Sequence, residues 1–155
     1  MHARVHLVTG ILERDGCVLL VASRYPNVAA PLWNLPGGRQ RDGELLAQTL
    51  RREFLEETSL SIEVGPLCYV AESYDGASGT HFLSCAFAVS ATGEAALPPG
   101  DAHAVALAWV ARADLARTLA VAVVREPLLG HLAGDPARYY GFPESGITIE
   151  FADPA

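Results

Sequence analysis

The 155-residue chain is half hydrophobic and carries 18 acidic against 11 basic residues, a net charge of −7. Its length and apolar content suffice for one buried core, and its negative balance opposes binding to a nucleic-acid polymer. All the basic residues are arginines, which excludes chemistries built on a lysine, such as a P-loop or a Schiff base. In chain order, Val5 to Leu12 and Cys17 to Ala22 are apolar, β-branched runs joined by Arg14-Asp15-Gly16, and the Asp-Gly step predicts a hairpin that opens an antiparallel sheet. Tyr25 to Pro31 reads as a loop. It leads into Trp33-Asn34-Leu35-Pro36-Gly37-Gly38. From Gly43 to Thr58 the residues are mostly good helix formers, with Asp42 placed to cap the helix. Ile62 to Ala71, His81 to Ser90 and Val105 to Val110 then read as strands, separated by loops at Asp75 to Gly79 and Pro98 to Gly100. Asp114 to about His131 reads as helical, with a break or kink expected at Pro127. The tail pairs an aromatic turn, Arg138 to Pro143, with an alternating strand-like segment, Ile147 to Phe151.

No apolar stretch is long enough to span a bilayer without a charge, and the start of the chain lacks the pattern of a secretory signal. Cys17, Cys68 and Cys85 are widely spaced and lie in apolar runs. They read as reduced core residues in a cytoplasmic protein.

The stretch that carries chemistry is Gly38 to Leu60, in which Glu44 is followed by Arg52-Glu53-Phe54-Leu55-Glu56-Glu57-Thr58-Ser59-Leu60. It resembles the Nudix box, with one departure: Ser59 stands where the pattern has its last glycine. The preceding strand pair, the Trp-x-Leu-Pro-Gly-Gly turn and the later strands extend the resemblance over most of the chain. At about 100° per residue, Glu53, Glu56 and Glu57 project from one face of the helix. Like charges so placed repel unless a cation lies among them, and their hard oxygen atoms suit magnesium or manganese. On an adjoining stripe, Leu46, Ala47, Leu50 and Phe54 recur at core-facing spacing. At Ser59, the position that commonly takes a positive φ, the substitution brings the helix end into question more than the metal site.

The resemblance implies an α/β fold, a Nudix-type α/β/α sandwich with a mixed central sheet and a loop-helix-loop, in one domain over 1–155 with 134–155 as a C-terminal extension. It implies a magnesium-dependent pyrophosphohydrolase acting on a small nucleotide: a nucleoside triphosphate, a nucleotide sugar, ADP-ribose or a dinucleoside polyphosphate. Gly37, through its carbonyl, and Glu53, Glu56 and Glu57 would hold the metal, Glu53 would act as base, and Glu44 would act from behind the ligands. Arg52 reads either as the group that orients Glu53 or as a helix salt bridge to Glu56, and Glu44 also as an early-helix carboxylate favoured by the helix dipole.

Arg24, Arg39 and Arg41 flank the site and suit phosphate oxygens, or simply solubilise a chain without lysine. Tyr25, Tyr74, Phe82 and Trp109 are stacking candidates for a base, with Trp33 and Trp109 favoured as core residues. Tyr74 also sits near the distance past the box that marks some substrate subgroups, and reads equally as a loop residue. The acid that many family members carry before the strand tryptophan is Ala106 here, so Asp101, His103, Glu72 and Asp75 are substitutes to weigh. The tail reads as a lid or as an edge strand in a homodimer. Two other classes are open: a nucleotide sensor that binds without cleaving, and an isoprenoid diphosphate isomerase.

Overall fold

A computed structural model describes residues 3–100 and 103–144 of the chain. Its strands are β1 Arg4–Ile11, β2 Glu13–Arg14, β3 Cys17–Ser23, β4 Leu32–Asn34, β5 Gly37–Arg39, β6 Glu63–Tyr74, β7 His81–Ser90, β8 Ala104–Ala111 and β9 Tyr139–Phe142. Its helices are α1 Leu46–Thr58, α2 Leu115–Thr118 and α3 Ala122–Leu132. The strands form a five-stranded sheet in the order β5-β1-β7-β6-β9 and a four-stranded sheet in which β3 pairs with β2, β4 and β8. The first sheet is mixed, since β1 runs parallel to β7 and β9 parallel to β6, while β5 and β7 run antiparallel to β1 and β6 respectively. This is the α/β architecture with a mixed sheet expected from the sequence.

Asp15 and Gly16, at φ 53° and 75°, make the expected tight turn, because positive φ at both central residues matches the twist of a hairpin. The turn joins β2 to β3, with Glu13 opposite Val18 and Arg14 opposite Cys17. The run Val5 to Leu12 is not the partner of Cys17 to Ala22 that the sequence suggested. As β1 it crosses into the other sheet beside β7, where more of its length is paired. β3 is buried along nearly all of its length, with Val18 and Leu20 in one hydrophobic cluster and Leu19 in the other. A strand covered on both faces has no alternation to read.

Helix α1 starts three residues later than the composition indicated. Asp42 is not its cap: Gly43, at φ +83°, turns the chain first, and Leu45 occupies the cap position with its N–H donating to Gln48 Oε1 at 2.7 Å. Leu50 and Phe54 are fully buried, with Leu46 packed beside them, against Val8, Leu19 and Val89. Gly10 makes room for this contact, since a Cβ there would lie 2.5 Å from the Phe54 ring. At the other end Ser59 adopts the left-handed conformation, φ 62° and ψ 11°. Its N–H donates to the Leu55 carbonyl, and its hydroxyl donates to the Ala96 carbonyl at 2.8 Å. The strain of a β-carbon in that region, about 1 kcal/mol, is thus offset by a hydrogen bond that glycine could not make.

The second helical region breaks at Leu119 to Val121, where the backbone is extended, and not at Pro127. Pro127 and Leu128 are buried, and their packing outweighs the one helix bond the proline ring removes. Arg125 closes the break by donating to the carbonyls of Leu119 and Ala120. The expected aromatic turn at Arg138 to Pro143 is strand β9, whose Tyr140 packs edge-on against Tyr69. Ile147 to Phe151 lies outside the described residues. Trp33 and Trp109 pack against the two hydrophobic clusters, as their core reading required. The three cysteines are unpaired. No helix among the described residues is long and apolar enough to cross a membrane.

Two substitutions test this packing. Gly10→Ala drives a methyl group into the Phe54 ring and should destabilise the fold by about 1–3 kcal/mol in urea denaturation. Ser59→Ala keeps the backbone strain and loses the bond to Ala96, for a cost of about 1 kcal/mol. Ser59→Gly loses both and should lie within about 0.5 kcal/mol of the parent; an equal loss in both variants would contradict the left-handed strain.

Candidate active site

A cleft of about 380 Å³ opens between the two sheets. One wall carries Leu7 and Thr9 of β1, Tyr69, Ala71 and Ser73 of β6 and Phe82 and Ser84 of β7; the opposite wall carries Val21, Ser23 and Asn34. Each strand supplies alternate residues, as a sheet face requires. Glu53, Glu56 and Glu57 line the same cleft together with Gly37, Gly38 and Arg39, and Val121, Val123 and Val124 border it from the start of α3. The arrangement joins an acidic portion to a largely apolar one.

The turn and the helix meet at very short range. A Cβ on Gly37 would lie 2.0 Å from the Val8 carbonyl, and one on Gly38 would lie 2.5 Å from the Glu53 carboxylate. Gly37 therefore excludes any side chain, and a side chain at Gly38 would displace the Glu53 carboxylate. The Gly37 N–H donates to Glu57 Oε1 at 2.9 Å, and Glu57 is buried. Burial raises the Glu53 carboxyl above its ordinary value, Arg52 opposes that rise, and Glu56 adds to it. A partly desolvated carboxylate of this kind is a better proton acceptor than an exposed one.

Arg52 links these groups. Its Nε and Nη2 donate to the two Glu44 oxygens at 2.8 and 2.9 Å, its Nη1 to Glu53 Oε1 at 2.8 Å and, at 3.5 Å, to Glu56, and its Nη2 also to the Arg39 carbonyl. Arg52 thus meets both Glu53 and Glu56, the Glu53 contact being the shorter, and adds an unforeseen bidentate pair to Glu44. Glu44 precedes the helix and also accepts from the Arg41 N–H and the Thr49 hydroxyl. These bonds, that of Arg52 first, hold its carboxyl at about 2.

The oxygen donors Glu53, Glu56, Glu57 and the Gly37 carbonyl fit a hard divalent cation in chemistry. Their carboxylates line one cleft, but among the described residues no three acidic, histidine or cysteine side chains already form a metal-ligating group. Glu53 is held towards Arg52, Glu57 towards Gly37, and the Glu56 side chain is half exposed.

The other sequence candidates are divided. Arg39, Tyr25, Phe82, Asp75 and His103 line the cleft. Burial, then the charge of Glu57, pushes the Tyr25 hydroxyl up to about 12, and its ring meets His103 edge-on at 5.3 Å. Asp75 is buried and holds its own loop, accepting from the Ala77 N–H and the Ser78 hydroxyl. Arg24 is exposed and is not among the residues lining the cleft. Tyr74 stacks on His81 at 4.6 Å, outside the cleft. Glu72 bonds to His81 and to the Tyr139 hydroxyl. Asp101 lies outside the described residues. Sequence reading missed Ser23, Asn34, Ser73 and Ser84; the alternation Tyr69, Ala71, Ser73, Asp75 was the available signal for the β6 wall.

The sequence model of the NUDIX domain matches residues 1–129. The chain belongs to the NUDIX family. The matched residues end within α3, and β9 beyond them joins the same sheet as β1. Over 75 residues the chain is 36% identical to the CTP pyrophosphohydrolase of Escherichia coli (strain K12), covering 48% of this chain and 54% of that protein. It is 35% identical over 86 residues to the ADP-ribose pyrophosphatase of Methanocaldococcus jannaschii, covering 56% and 50%. The chain thus spans about half the length of the curated relatives it matches. Among solved structures, a MutT NUDIX hydrolase from Burkholderia pseudomallei superposes with a TM-score of 0.70 at 28% identity, over 82% of this chain and 97% of that one.

The Arg52–Glu44 pair carries a pH signature. Glu44 is depressed from 4.5 to about 2, so the native state binds fewer protons than the unfolded one across that window and its stability rises with pH there. The pair's contribution is present above 4.5 and disappears as pH falls towards 2. Thermal melts of the parent and Glu44→Gln should therefore differ near neutral pH and converge on acidification.

Proposed function

We propose that this chain hydrolyses a phosphoric anhydride bond in a small nucleotide, with magnesium, or manganese in its place, as the cofactor. The observation that carries this reading is the placement of Glu53, Glu56 and Glu57 on one helix face at a cleft whose remaining walls are largely apolar, against the Gly37-Gly38 turn. A cleft of this kind suits a nucleoside in its apolar part and phosphates at the carboxylates. Names of hydrolases of CTP and ADP-ribose among the relatives support the same reaction class.

In this reading Glu56, Glu57, Glu53 and the Gly37 carbonyl hold the cation. When bound, it neutralises charge on the phosphate oxygens and makes a water molecule more acidic. Glu53, raised by burial, accepts the proton as the water oxygen adds to phosphorus and the bond to the leaving phosphate breaks. Arg52 holds Glu53 in orientation, and Glu44 holds Arg52. Arg39 contacts phosphate oxygens from the cleft wall. Tyr25 and Phe82, which line the cleft, take the base-stacking role; Arg24 and Tyr74, placed outside it, contribute less. Three unpaired cysteines suit a reducing compartment such as the cytoplasm.

The test is incubation with magnesium and a panel of nucleoside triphosphates, nucleotide sugars, ADP-ribose and dinucleoside polyphosphates, following phosphate products. Glu53→Gln should lower kcat by about 10²–10⁴-fold with little change in nucleotide binding. Nucleotide binding without turnover by the parent protein would replace the hydrolase with a sensor.

A further inference from the structure

Beyond Arg39 the surface holds a second depression of about 340 Å³, lined by Arg4 and His6 from β1, by Arg39 at the end of β5 and by Gln40 and Arg41 in the turn before α1. Arg39 lines both this groove and the cleft. The groove has built walls: the Gln40 N–H donates to the His6 carbonyl at 2.9 Å, and the Gln40 side-chain amide donates to the Glu44 carbonyl at 2.7 Å. Two acids, Asp42 and Glu44, also line it. Glu44 is already neutralised by both nitrogens of Arg52. Among the described residues Arg4 and Arg41 form no ion pair. A chain of net charge −7 thus has three of its arginines lining one groove next to the carboxylates, and such a concentration of positive charge attracts anions.

We infer that this groove is an anion subsite for phosphate groups beyond the scissile anhydride, so that the chain favours substrates with a polyphosphate run over sugar-linked diphosphates. The inference rests on the proposed hydrolase function and names its substrate class. The charge acts close to the chemistry, since Arg41 is among the cations that bear on the Glu53 carboxylate. Guanidinium groups match paired phosphate oxygens in geometry as well as charge. A neutral sugar on the far side of the bond gains nothing from them. Free inorganic polyphosphate presents the same chemistry as the tail of a triphosphate, and separate measurements distinguish the two.

Arg4 and Arg41 are exposed, so Arg4→Ala, Arg41→Ala and the double variant should fold, which thermal melts verify. With magnesium, the double variant should raise KM for a nucleoside triphosphate by about tenfold or more, while the KM for ADP-ribose changes by less than about twofold. Calorimetric titration with inorganic tripolyphosphate, without metal, should show a matching loss of affinity that grows smaller as salt is added. Equal changes for both substrates, or tripolyphosphate binding that ignores the two arginines, would overturn the subsite. If the parent cleaves no nucleotide yet binds tripolyphosphate through Arg4 and Arg41, the groove stands as a site for free polyphosphate, and both the hydrolase and the substrate preference built on it fall. Cleavage with unaltered discrimination in the double variant leaves the hydrolase standing and removes the subsite.

Discussion

Three glutamates on one helix face are a source of repulsion; one side chain, Arg52, meets two of them, and the Gly37 N–H meets the third. Arg52 touches Glu44, Glu53, Glu56 and the Arg39 carbonyl, so one cation fixes a helix, the turn before it and the end of β5. An exposed ion pair contributes little by itself. Here both side chains of the Arg52–Glu44 pair are about four-fifths covered, and Glu44 is further held by a backbone N–H and a hydroxyl. A network with fixed geometry of this kind places its members better than separate pairs would. The candidate site depends on that placement, because a carboxylate free to rotate could not keep one orientation towards the cleft.

The second constraint is steric. Glu53 lies over Gly38, and Phe54 lies over Gly10, so neighbouring residues of one helix use two glycines on different strands to approach the sheet. The apolar contact sets the helix's depth and rotation. The carboxylates follow from that rotation, since they occupy the adjoining stripe of the same rigid element. Gly37 serves the same end differently: its backbone passes against Val8 and its N–H meets the buried Glu57. Ser59 shows that the helix end tolerates a departure from the family pattern when the replacement finds a partner, here the Ala96 carbonyl.

The cleft itself has a different origin. Its walls come from residues as distant in sequence as Leu7, Ser84 and Val124, brought together because β1 leaves its hairpin neighbour for the sheet containing β7. That crossover separates the two sheets and leaves the space between them. The helix break at Leu119 to Val121, followed by the start of α3, then lines the space with valines. The acidic portion is therefore built by one contiguous stretch of sequence, and the apolar portion by the whole fold.

Sequence alone determined the strand runs of β3, β6, β7 and β8, the Asp15-Gly16 turn, the glutamate-bearing helix and the family, because these depend on local conformation and on contiguous motifs. It also indicated which face of α1 is apolar, because a helix repeats its pattern within a few residues. The helix start was misplaced because Asp42-Gly43 has the composition of a cap but the geometry of a turn. The helix does not break at Pro127, because burial of Pro127 and Leu128 is a tertiary term that outweighs local preference. Tertiary structure alone decided the partner of β1, the β9 pairing, the capture of Glu44 by Arg52, the separation of Arg39 from Arg24 and of Tyr25 from Tyr74, and the groove beside the cleft. Each of these depends on chain segments meeting in space, and no local pattern encodes which segments will meet.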